Sequence, residues 1–128
     1  MLADALALLT GLPAPDGFGV GVDVEEVDRW ADPPRGLFTE AEHAHCRSMG
    51  RPAESYAGRW CAKEATVKAL DPFVRVSLRD VEIGVAAGGA PVVRVPWNGA
   101  VRLSIAHTER IAVAVAIAVP ALSRTDCV

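Results

Sequence analysis

The stretch "FGVGVDV" alternates strictly, with Val20, Val22 and Val24 pointing one way and Gly19, Gly21 and Asp23 the other. That period of two predicts a strand, and Glu25 continues the face of Asp23. After the break "ADPPRG", the run "FTEAEHAHCRSM" starts a helix, with Thr39 as N-cap and Glu42 three residues later in the capping-box position. "RPAES" separates it from a second helix over residues 58–70, which stops before "DPF". Strands follow: "VRVSL" and "VEIGVA", a turn at "GG", then "PVVRV" and a turn at "PWNG". "VRLSIAH" and "IAVAVAIAV", joined by "TER", predict a hairpin. In its last strand Ile111, Val113, Val115 and Ile117 share one face, while Ala112, Ala114, Ala116 and Ala118 share the other. The order β-α-α-β-β-β-β predicts an α+β domain over residues 18–128, a mainly antiparallel sheet with helices packed on one face. Residues 1–17 read as an N-terminal extension, with a short helix over residues 1–10 broken by "GLPAPDG".

The second helix, "GRWCAKEATVKAL", lacks the usual stripe of Leu and Ile. Gly58, Cys61, Ala62, Ala65 and Ala69 cluster on one flank. Trp60, Lys63, Glu64, Val67 and, to one side, Lys68 occupy the other. Such a helix presses its backbone closely against a neighbour, and the alanine face of the last strand is a surface it could approach. The polar flank reads as one carboxylate, Glu64, held between two ammonium groups.

Composition narrows the class. The chain has 128 residues, 51% hydrophobic and 23% charged, enough for one globular domain with a core. A net charge of −3 argues against non-specific nucleic-acid binding, so an anionic ligand needs a local positive patch. Cys46, Cys61 and Cys127 form no CxxC pair and suit a reducing compartment. The start "MLADALALLTGLPAP" reads as neither a secretory signal nor a membrane span, which predicts a cytoplasmic protein.

Asp23 and Glu25 lie two apart on one strand face, about 7 Å between backbones, so their carboxylates can converge on a hard cation such as Mg²⁺. The plain alternative is a solvated acidic strand end, with Glu26 and Asp28 nearby. Glu64 and Lys68, four apart, are equally a helix-stabilising pair. His43, His45 and Cys46 do not face one point on a helix, which speaks against zinc. The glycines at 17, 19 and 21 lie within a strand and make no dinucleotide fingerprint. His107 ends a strand just before a turn.

Taken jointly and in order, "GVGVDVEEVDR", "LFTEAE", "GRWCAKEATVKAL", "GGAPVV" and "VRLSIAHTERIAVAVAIA" resemble the phosphopantetheinyl transferases, specifically the small holo-acyl-carrier-protein synthase type, over residues 18–119. The resemblance implies that family's fold, a single β-α-β(3)-like unit. It also implies transfer of 4′-phosphopantetheine from coenzyme A to a serine of an apo acyl carrier protein, with Mg²⁺, releasing 3′,5′-ADP. By the same resemblance Asp23 and Glu64 bind the metal, with Glu25 a further ligand as in the larger family type. Lys63 acts with Asp23 and Glu64 in catalysis, and Arg59, Lys63, Lys68 and His107 grip the phosphates of coenzyme A. The small type implies a homotrimer, Asp23 and Glu64 coming from one chain and His107 from the next. Two departures stand out. The segment over residues 29–37 is short and contains "DPP", leaving Arg29 and Arg35 as candidate carrier contacts; and "KALDPF" lacks the glycine that usually continues the motif. The other reading is an inactive relative that binds coenzyme A or a carrier without transfer.

Overall fold

The computed structural model describes residues 17–122, so the short helix expected over residues 1–10 lies outside the described residues. The elements are β1 (Gly19–Glu26), a 3₁₀ turn (Val27–Trp30), α1 (Glu40–Ser48) and α2 (Pro52–Leu70). A second 3₁₀ turn (Leu78–Asp80), β2 (Glu82–Val85), β3 (Pro91–Arg94), β4 (Ala100–His107) and β5 (Ile111–Val119) complete the order. This is the α+β arrangement that the hydrophobic pattern predicts.

Three strands pair antiparallel in the order β1-β5-β4, while β2 and β3 form a separate antiparallel hairpin. The register places Gly19 opposite Ala118, Gly21 opposite Ala116, Asp23 opposite Ala114 and Glu25 opposite Ala112. One face of this sheet is therefore nearly devoid of side chains along β1 and β5, and Ala112, Ala114, Ala116 and Ala118 are all buried there. Helix α2 lies on it. Gly58 abuts Ile105 of β4, the Cys61 thiol donates to the Ala112 carbonyl of β5 at 3.5 Å, and Ala65 and Ala69 meet Gly21 and Gly19 of β1. A Cβ on Gly21 would overlap the Ala65 carbonyl oxygen, and one on Gly19 that of Ala69. The small residues on both partners thus serve one contact, in which backbone packs on backbone.

The first part of α2 is held by aromatic side chains. Trp30 lies 5.3 Å from Trp60 and 5.8 Å from Phe38, and Phe38 lies 5.1 Å from Tyr56, ring centre to ring centre. These contacts tie the chain between β1 and α1 to α2. Helix α1 starts with the expected capping box: Glu42 N–H donates to Thr39 Oγ1 at 3.2 Å, and Thr39 N–H donates to Glu42 Oε1 at 2.8 Å.

The run "VRVSL" is not a strand. The Val74 N–H donates to the Leu70 carbonyl as α2 ends, and Ser77 forms a capping box with Asp80 that turns the chain into the 3₁₀ segment. Both ends of the run are committed to turns, and residues 74–77 join neither sheet.

Candidate active site

The two carboxylates of β1 owe their position to the glycines before them. Gly19 and Gly21 lie under α2; Asp23 and Glu25 continue the same face past the point where the helix backbone presses on the strand. Asp23 is thus the first residue of β1 on that face to carry a side chain. Lys68, in the last turn of α2, reaches back over it, with Nζ donating to the Val22 carbonyl at 2.9 Å and to Asp23 Oδ1 at 3.3 Å. The other oxygen, Asp23 Oδ2, is buried without a hydrogen-bond partner. Among the described residues only the Cys61 thiol, a weak donor, interacts with this carboxylate besides Lys68, and a buried carboxylate oxygen so poorly paired favours a cation.

Glu64 stands one helical turn before Lys68, facing the same side. Burial holds its carboxyl above the usual glutamate range, the negative charges of Asp23 and Glu25 add to the shift, and Lys68 opposes it. Beneath them the Cys61 thiol is pushed up to about 12, mainly by burial and further by the charges of Asp23 and Glu25. Among the described residues no three His, Cys, Asp or Glu side chains converge closely enough to hold a metal ion. The charge of Glu25 is nonetheless felt at both Glu64 and Cys61, so Glu25 borders this site. Asp23 and Glu64, with one unpartnered oxygen and mutual repulsion, fit a hard cation whose remaining coordination comes from water or phosphate oxygens.

Lys63 is not at this site. Side chains one residue apart on a helix point about 100° apart, and Lys63 faces α1, where its ammonium donates to Glu42 Oε1 at 2.6 Å with both side chains buried. The carboxylate expected between two ammonium groups has one, Lys68.

Arg59 and His107 lie elsewhere, together. They line a groove of about 430 Å³ between the start of α2 and β4, along with His45, Arg51 and Glu54. Burial lowers the Arg59 pKa, and its Nε is buried without a partner. His107 Nδ1 lies 3.3 Å from Glu54 Oε2, and Arg51 Nη1 donates to Glu54 and Glu109. Burial and the nearby Arg59 charge keep His45 below its ordinary pKa. Arg51 and His45 were not singled out for this groove. Histidine spacing within α1 carries no sign of it, because only tertiary packing brings β4 against α2. Arg59 and Glu64 are five residues apart, so they point about 140° apart around the axis.

A larger groove of about 790 Å³ runs beside Ala31, Arg35, Phe38, His43, Arg47 and Tyr56. It includes none of the carboxylates at the β1 end, so size alone does not mark the reactive centre. Arg35 lines it, while Arg29 pairs loosely with Glu26 at 3.8 Å on the open surface.

Residues 19–119 match the model of the 4′-phosphopantetheinyl transferase superfamily. The chain belongs to this superfamily. It is 36% identical over 118 residues to a holo-[acyl-carrier-protein] synthase of Caldicellulosiruptor bescii, covering 79% of this chain and 97% of that one. A fatty acid synthase subunit alpha of Penicillium patulum is 43% identical over 81 residues, 58% of this chain, and the match spans only 4% of that subunit. Among solved structures, a holo-(acyl-carrier-protein) synthase from Bacillus anthracis in complex with CoA (3′,5′-ADP) superposes with a TM-score of 0.71 at 29% identity. It covers 80% of this chain and 96% of that one. In this phosphopantetheinyl transferase family member, the acidic end of β1 with Lys68 and the arginine–histidine groove sit on different sides of α2.

Proposed function

We propose that the chain transfers 4′-phosphopantetheine from coenzyme A to a serine hydroxyl of an apo acyl carrier protein, releasing 3′,5′-ADP. The observation that carries this reading is the Asp23–Glu64–Lys68 cluster, in which one buried carboxylate oxygen lacks a partner and a second carboxyl is held above its usual range. Relatives with those catalytic names, one of them solved with coenzyme A, give the same chemistry.

Asp23 and Glu64 would hold Mg²⁺. Bound there, the ion would supply positive charge to the diphosphate oxygens. The serine oxygen attacks the β-phosphorus, the bond from that phosphorus to the bridging oxygen breaks, and the electron pair leaves on the α-phosphate. Lys68 is anchored on the Val22 carbonyl and Asp23 with its side chain half-exposed, and there its ammonium offsets the charge on the leaving group. Glu64 orients the hydroxyl or water that takes the serine proton. Arg59 and His107, in their own groove, bind the 3′-phosphate end of coenzyme A. Arg29 and Arg35 are the proposed carrier contacts.

A homotrimer unites the two halves of the site. Opposite the alanine face, the sheet exposes Val20, Val22, Val24, Ile111, Val115, Ile117 and Val119, an apolar surface of β-branched side chains that the described residues leave uncovered. A second copy seated on this face would bring the arginine–histidine groove of one chain toward the carboxylates of the next. The free thiols of Cys46 and Cys61 accord with a reducing, cytoplasmic site of action.

The test is direct. The protein is incubated with coenzyme A, Mg²⁺ and apo carrier protein, and the carrier is weighed by mass spectrometry. A carrier gaining one phosphopantetheine supports the reading. An unmodified carrier with hydrolysed coenzyme A, or with coenzyme A bound and intact, defeats it.

A further inference from the structure

We infer that Lys63 and Glu42 form a buried latch that fixes the roll of α2 and so aims Glu64 and Lys68 at Asp23, Lys63 being a positioning residue that touches no substrate. The inference rests on the reading of Asp23, Glu64 and Lys68 as the reacting centre.

Both partners are withdrawn from solvent, at 1% exposure for Lys63 and 1% for Glu42. Every polar atom of the Glu42 carboxylate is taken up by protein. Oε1 accepts from Lys63 Nζ at 2.6 Å and from Thr39 N–H at 2.8 Å, and Oε2 accepts from Ile83 N–H at 2.9 Å. Three elements meet on that one group: the start of α1, the side of α2 and β2. The Phe38 ring centre lies 5.7 Å from the ammonium, and the negative charge of Glu82, on β2, also acts on Lys63. The charge of Lys63 is matched by Glu42, and the opening beside it among the described residues is a pocket of about 140 Å³ with Thr39 and Arg79, lined by none of Asp23, Glu64 and Lys68.

The contact of α2 with the sheet explains why a latch is needed. Gly19, Gly21 and the alanines of β5 meet Ala65 and Ala69 across a surface with almost no protruding side chains. Such a surface limits how close the helix comes, but offers few interlocking knobs to oppose rotation about its own axis. Lys63 sits about 100° around that axis from Glu64, so a bond fixed at Lys63 sets the angle at which Glu64 leaves the helix. The side chain that follows the latch in sequence is the one whose aim matters most.

The experiment compares the wild type with Lys63→Met and with Glu42→Gln/Lys63→Met, in which both charges go together. Unfolding temperature, amide exchange at Thr39 and Ile83, and kcat and KM for coenzyme A are measured well below each melting point. Lys63→Met alone strands a buried carboxylate. It is expected to melt lower, to expose the Ile83 amide to faster exchange, and to lose at least ten-fold in kcat with KM for coenzyme A within two-fold. The double variant is expected to regain most of the stability and to return kcat to within about three-fold of wild type. A ten-fold rise in KM that the double variant does not repair would show that Lys63 grips coenzyme A, and unchanged kcat in Lys63→Met would show that the latch does not aim the site; either overturns the inference. If the wild type itself transfers nothing, the functional reading has failed, and the amide exchange then judges the latch: an Ile83 amide unaffected by Lys63→Met overturns it.

Discussion

Gly21 of β1 lies so close to the Ala65 carbonyl of α2 that a single added methyl group would overlap the oxygen. The obstacle is backbone on both sides, which cannot rotate out of the way. Gly21→Ala is therefore expected to cost about 3 kcal/mol or more of folding stability, at or above the upper end of what overpacking usually costs. Urea unfolding followed by tryptophan fluorescence measures it. A loss below about 1 kcal/mol would mean that α2 can lift off the sheet freely. Because the same contact determines where α2 crosses β1, any folded Gly21→Ala protein should also have lost most of its transfer activity.

Asp23 carries a buried oxygen with no hydrogen-bond partner among the described residues, and beside it burial and like charge raise the pKa of the Glu64 carboxyl. Asp23→Asn and Glu64→Gln preserve shape and remove charge. Each is expected to lower kcat by roughly 100-fold or more, the scale seen when one electrostatic group is removed from a reacting centre. Each should also melt no lower than wild type in the absence of divalent cation, because each relieves repulsion between neighbouring acids. Isothermal titration with Mg²⁺ gives an independent reading, and unaltered Mg²⁺ affinity in both variants would contradict the assigned ligands.

Much of this arrangement was legible before any coordinates. The small-residue flank of α2 and the alanine face of β5 pointed to a close helix–sheet contact, whereas the share of Gly19 and Gly21 of β1 in it emerges only from the packing. Asp23 was marked by the family resemblance; the strand pattern alone left it equally a solvated acidic strand end. The place of Lys63 was not legible. Its neighbour in sequence, Glu64, reacts to β1, but Lys63 meets Glu42, and nothing in the local pattern of α2 says that a carboxylate from α1 will occupy the space beside it. Glu42 itself read as a cap, which it is; its second oxygen reaches β2 only through tertiary packing. The run "VRVSL" alternates like a strand, yet the Leu70 carbonyl and the Ser77–Asp80 turn claim its ends first. Local hydrogen bonds outweighed the pattern.

The raised Glu64 pKa has a definite consequence for pH. The folded chain binds this proton more tightly than the unfolded chain, whose glutamate titrates near the ordinary value of 4.5. The stability contributed by protonated Glu64 is therefore complete below pH 4.5 and is lost as pH rises through the folded value. A divalent cation acts in the opposite sense, since it binds the ionised carboxylate and must displace the proton. Stabilisation by Mg²⁺ should accordingly grow as pH rises from 4.5 to 7, and should flatten in Glu64→Gln. Thermal melts with and without Mg²⁺ across that range check it. An increment independent of pH would place the cation elsewhere.

The exposed valine and isoleucine face supplies the last prediction. Val22 and Val115 are opposite one another on β1 and β5, 48% and 38% exposed, and neither touches α2. Replacing Val115 by Lys leaves the alanine face and the helix contact intact, so the protomer should keep its fold, with far-ultraviolet circular dichroism unchanged. Burying a lysine ammonium without a partner at a subunit contact is strongly unfavourable, and a threefold assembly repeats the penalty in each protomer. If the chain forms the proposed homotrimer through this face, Val115→Lys is expected to convert it to a monomer in light scattering, and to reduce the proposed transfer by at least ten-fold as the halves of the site separate. Mixing Val115→Lys with excess wild type should not restore its activity. A variant that stays trimeric would show that the contact lies on another surface, and a fully active monomer would show that one chain holds coenzyme A alone.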